Sequence, residues 1–92
     1  MTSTQIQLNA FALAKPNIGK NQAKVLWAIN YLNSNSIPCS DRQIANLLGW
    51  EINCVVPRRK ELESMKRIFC EKVGYDGISK IKVNLWRLRG GL

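Results

Sequence analysis

From about Lys20 the apolar residues Val25, Leu26, Ile29 and Leu32 recur at the offsets of one helical face. Trp27, Ala28 and Tyr31 widen that stripe, and the tract Asn33, Ser34, Asn35, Ser36 ends it with side chains that compete for backbone hydrogen bonds. The pattern predicts a first helix from about 20 to 33. Ahead of it, Ile6 and Leu8 alternate like a strand while Phe11 to Ala14 suit a helix, so residues 1–17 carry no assignment. Pro16, Asn17 and Gly19 separate that segment from the rest.

Ile37, Pro38 and Cys39 read as a short extended piece, because Pro38 pushes its predecessor out of the helical region. Ser40 and Gln43 fit a capping box, with the hydroxyl taking the third helical N–H and the amide reaching back to the cap. A second helix therefore starts there, buries Ile44, Leu47 and Leu48, and closes at Gly49 in the left-handed region. A third is expected from Asn53, as N-cap, to Ser64. Pro57 is compatible with it only near the start, where an amide has no intrahelical acceptor to lose. Val55 and Leu62 share the face that turns toward the first two helices.

From Lys66 the period becomes two. Ile68, Cys70 and Lys72 alternate with Phe69, Glu71 and Val73, and Gly74, Tyr75, Asp76 and Gly77 make a turn. In the returning strand Ile81, Val83 and Leu85 alternate with Lys80, Lys82 and Asn84, giving one apolar and one cationic face. Gly90, Gly91 and Leu92 read as a frayed end.

Ninety-two residues leave room for one core, placed at residues 18–89. Three helices sharing it with a small antiparallel sheet make an α+β fold. Charge then points to a partner. Fourteen Lys and Arg against six Asp and Glu give +8, and ten of the cations fall within residues 58–92. A polyanion is the natural ligand for such an imbalance.

No apolar run approaches the ~20 residues of a membrane span, and the N-terminus lacks a signal-like segment, so a cytoplasmic protein without a membrane role is expected. Cys39, Cys54 and Cys70 form no CxxC pair, and the chain has no His. Reduced, mostly buried thiols and no metal or other cofactor are the expectation. Without His, a carboxylate pair or a glycine-rich phosphate loop, nothing points to an enzyme. Trp27, Trp50 and Trp86 are read as core or interface, since no two are spaced to line a single-strand groove.

Ala45, Gly49 and Val55 occupy the small, turn and aliphatic positions of a helix-turn-helix, and residues 41–60 resemble that signature. The run from Val56 to Glu63 is similar to the basic recognition helix of winged-helix regulators, and the GYDG hairpin to their wing. The resemblance covers about residues 20–88 and departs from the family pattern at Pro57, Arg58 and Arg59, where a core aliphatic is common. It implies a winged helix-turn-helix, a three-helix core with a C-terminal antiparallel β-hairpin wing.

The implied function is binding of double-stranded DNA by a small sequence-selective transcriptional regulator of a bacterium, phage or plasmid. In that arrangement the third helix enters the major groove and the second abuts phosphate. Asn53, Arg58 and Lys60 are then the candidates for bases, and Arg59 for phosphate. Arg42 and Gln43 stand at the start of the second helix, where free N–H groups favour an anion. Lys72, Lys80 and Lys82 of the wing would reach backbone or minor groove, with Tyr75 packing on sugar. The alternatives are a protein-docking winged helix, for which Val56 and Pro57 offer an apolar surface, and a replication-associated DNA-binding protein. A homodimer, with residues 1–17 as its interface, is left open.

Overall fold

The computed structural model describes residues 18–89; the segment 1–17 and the end at 90–92 lie outside the described residues. Helix α1 (Lys20–Ser34) buries Ala23, Val25, Leu26, Trp27, Ala28, Ile29 and Leu32. Its first turn is closed by Gln22, whose Oε1 accepts the Gly19 N–H at 2.9 Å. With so much of its circumference covered, α1 is the post against which the other elements pack. Each fully buried aliphatic side chain, such as Leu26 or Ile29, contributes about 1.5–3 kcal/mol relative to exposure.

Helix α2 (Asp41–Leu48) starts as expected, with Ser40 Oγ accepting the Gln43 N–H at 3.0 Å. The other half of the predicted box does not form, because the Gln43 side chain donates instead to the Asp76 carbonyl at 2.7 Å. Gly49 ends α2 at φ 70° and ψ 29°. A Cβ there would meet no atom within 4 Å, so Gly49→Ala isolates the backbone penalty. We expect it to lower stability by about 1 kcal/mol in urea denaturation. An unchanged midpoint would contradict this account of the turn.

Helix α3 (Ile52–Ser64) begins earlier than predicted, with Glu51 rather than Asn53 as N-cap and no side-chain hydrogen bond at that cap. Ile52 explains the shift, since it packs partly buried against the core. A cap bond is worth about 1 kcal/mol, and part-burying an isoleucine is worth at least as much. Pro57 consequently sits in the second helical turn rather than at the start. It withholds the amide that would bond the Asn53 carbonyl. Asn53 and Pro57 are both exposed, so the freed carbonyl lies on the solvent side. Val55 and Leu62 are fully buried, as their spacing predicts.

Strands β1 (Ile68–Gly74) and β2 (Val83–Leu88) form one antiparallel pair, running from Ile68 opposite Leu88 to Gly74 opposite Val83. The register shifts between Cys70 and Lys72, so Glu71 is the extra residue of a bulge and the alternation read along β1 breaks there. Ile68 and Trp86 join the helical core. The outer edge of β2 is covered by side chain and loop. The Trp86 N–H donates to the Cys39 carbonyl at 2.7 Å, and Asn33 bonds the Trp86 carbonyl and the Leu88 N–H at 3.2 and 3.0 Å. That single backbone bond is all the sheet pairing residues 37–39 make. Three helices followed by this hairpin are the α+β winged-helix layout. No helix among the described residues is long and apolar enough to cross a membrane.

Candidate nucleic-acid interface

The predicted tight turn at residues 74–77 is instead an eight-residue loop, 75–82, between the strands. Asp76 is the reason. Its carboxylate, buried to 1% exposure, accepts the backbone N–H groups of Ile78 and Ser79 at 2.9 and 2.6 Å and the Ser79 hydroxyl at 3.1 Å. The Ser40 hydroxyl donates to it at 2.5 Å. Burial raises the carboxyl's affinity for a proton, but these four donors outweigh it and hold the group down at about 2. Asp76 thus folds the loop on itself and ties it to the start of α2. Its sequence signal, Asp with amides two and three residues on, is that of an Asx turn.

The loop and the start of α2 enclose an open cleft of about 700 Å³, lined by Arg42, Ile52, Ile78, Lys80, Ile81 and Lys82 among others. Lys80 and Lys82 therefore project from a loop and not from a strand face, and Ile81, expected inside, is 70% exposed. Arg42, Lys80 and Lys82 come together here from elements far apart in sequence, beside the first residue of α3. Gln43, predicted to contact DNA, is half-buried and directs its side-chain Nε2 to the Asp76 carbonyl.

On α3 the buried residues are Val55, Arg59 and Leu62, so the outward side presents Asn53, Pro57, Lys60 and Ser64, all exposed. Arg59 is a correction to the expected phosphate contact. Its guanidinium bonds both Asp41 oxygens at 2.9 and 2.8 Å and Glu63 at 3.2 Å, and stacks 4.2 Å from the Trp86 ring centre. Burial alone would weaken its charge, but Asp41 and then Glu63 keep it protonated more firmly than usual. An arginine whose fork and face are filled from inside positions α3 against α2 and β2.

Arg58 lies on the opposite flank, paired with Glu61 at 2.9 Å. Gln22 also donates to Glu61, at 2.8 Å, and with Arg58 it holds that carboxyl below its usual range. Arg58 and Asn53 line a groove with Lys24, Trp50 and Cys54 between α1 and α3. Lys72 and Tyr75 fall into neither grouping, and line a separate hollow with Ile37, Cys39 and Arg87. The expected wing cations are thus split between two surfaces.

Of the thiols, only Cys39 is buried; Cys54 and Cys70 are exposed, contrary to the expectation of mostly buried thiols. Burial pushes the Cys39 thiol up to about 12, so it stays protonated.

Sequence reasoning missed the inward role of Asp41 and the anchoring role of Asp76, and these change the charge picture. Asp41, Glu61, Glu63 and Glu71 pair with arginines, and Asp76 is held by hydroxyls and amides. Arg42, Lys60, Lys80 and Lys82 make no ion pair among the described residues, so most acidic charge is compensated internally while these cations face solvent. Comparison of the chain with models of known protein families, with curated proteins and with solved structures finds no match.

Proposed function

We propose that this chain binds double-stranded DNA, as a small sequence-selective regulator of bacterial, phage or plasmid type. The observation that carries the reading is the cleft in which Arg42 from the start of α2 meets Lys80 and Lys82 from the wing loop, next to the start of α3. Cations that pair with no carboxylate among the described residues, on a shared concave surface, suit the phosphates of one duplex. The exposed Asn53 and Lys60 of α3 are then the groups that face base edges.

Salt dependence tests this. Affinity for duplex DNA should fall with log[salt] at a slope of about 0.9 per phosphate contacted. Lys80→Ala with Lys82→Ala should reduce that slope by about 1.8 and weaken all sequences alike. Lys60→Ala should leave the slope almost intact and relax preference at one base position by about 1 kcal/mol. An affinity indifferent to salt would refute the reading. A protein-docking function draws on the exposed apolar side chains Val73, Tyr75 and Ile81, and an absence of gel retardation by random duplex at low salt would favour it.

A further inference from the structure

Ile81 is 70% exposed and stands between Lys80 and Lys82 on the cleft-lining loop, with Ile78 nearby at 39%. These two large aliphatic side chains face solvent on a loop whose backbone is held by Asp76 through the Ile78 and Ser79 amides. Among the described residues neither lysine pairs with a carboxylate, and Arg42 across the cleft makes no ion pair either.

We infer that the wing loop is a wedge: Ile81 inserts at a base step in the minor groove while Lys80 and Lys82 meet the flanking phosphates, so that binding bends the duplex. The inference rests on the DNA-binding reading and adds to it the manner of contact and a preference for deformable sequence. Charge complementarity selects the occupant, because an apolar side chain with a cation on each side matches a hydrophobic base step between two phosphates. Insertion partly unstacks the step, and pyrimidine–purine steps such as TA yield most easily, whereas A-tracts resist. The loop's tether to α2 through Ser40 and Asp76 lets it push against the duplex without folding away.

The test uses end-labelled duplexes of about 25 base pairs, one with a central TA step and one with an A-tract, read by energy transfer between the ends. The wild-type chain should bend the TA duplex by about 20° or more and bind it on the order of tenfold more tightly than the A-tract. Ile81→Ala should lose the bend and the preference while keeping the salt slope. Its melting curve should match wild type, since the side chain packs on little. Wild-type binding without bending, or an Ile81→Ala chain that bends DNA as wild type does, would overturn the wedge and leave DNA binding standing. Failure of the wild-type chain to bind either duplex at low salt would overturn both.

Discussion

Arg59→Ala is expected to destabilise the domain by about 3 kcal/mol, read as a lower urea midpoint. For a domain of this size that corresponds to a drop in Tm on the order of 12–24 °C. The guanidinium side chain is 10% exposed, and Asp41, which receives its bidentate fork, is 19% exposed. Removing the arginine leaves Asp41 with much of its hydration missing and no counter-charge, and uncovers the Trp86 ring. Breaking a fully buried pair costs about 3–5 kcal/mol. The lower end applies here because Glu63, the third member, is 45% exposed and recovers water.

Arg59→Lys should fall between, since it keeps the charge but loses the planar fork and the stacking. In the Arg59→Ala, Asp41→Ala double variant the loss should be less than the sum of the single losses, because the second substitution removes the stranded carboxylate. Arg42→Ala serves as the contrast. It is exposed and makes no ion pair among the described residues, so it should change stability by no more than about 0.5 kcal/mol while weakening duplex binding. If Arg59→Ala left the urea midpoint in place and instead abolished DNA binding, the arginine would belong to the interface after all.

That contrast marks where reading the sequence stops. A run of three cations from Arg58 to Lys60 is legible as charge, but the partners that divide it are not. Asp41 and Trp86 lie far from Arg59 along the chain, and only the packing of α2 and β2 on α3 brings them to it. Lys60 alone of the three projects unpaired from the outward side, which the spacing of Val55 and Leu62 already implied. Helices α1 and α2 were legible because their signals are local: a 3.6-residue apolar stripe, a serine cap and a glycine at positive φ. The start of α3 shifted because a tertiary contact of Ile52 competed with a local cap at Asn53 and prevailed.

The hairpin illustrates the same division. Alternation at Ile81, Val83 and Leu85 is present in the sequence, but a period of two does not say where pairing begins. Pairing starts at Val83, and Ile81 falls on the loop side of that boundary. Gln43 had a local option in the capping box and took a distant one at Asp76. The cleft itself, built from the start of α2 and a loop more than thirty residues later, could be seen only once the chain was folded.

Asp76→Ala should lower stability by about 3 kcal/mol and release the wing loop. The substitution strands the Ser40 hydroxyl and the Ile78 and Ser79 amides, donors that now meet a charged acceptor, and each unsatisfied buried donor costs about 1–3 kcal/mol. Partial access of water to the loop keeps the sum near the figure given. Because the carboxyl titrates at about 2 in the folded chain against 3.8 ordinarily, folding favours its ionised form. The stabilisation is complete above the ordinary value and is lost as pH falls from about 4 toward 2. Asp76→Asn should remove this acid-side decline in stability, and should keep part of the loop because an amide oxygen still accepts the two backbone N–H groups.

Amide hydrogen exchange at Ile78 and Ser79 reports the loop directly, and unchanged protection in Asp76→Ala would refute its anchoring role. The consequence for binding follows from the same geometry. Lys80 and Lys82 remain in the released loop and can still reach phosphate, so the salt slope should hold. Ordering the loop must then be done by the duplex, so affinity should fall several-fold at every salt concentration. A parallel downward shift of the salt plot separates an anchoring residue from a contacting one, because loss of a phosphate contact changes the slope.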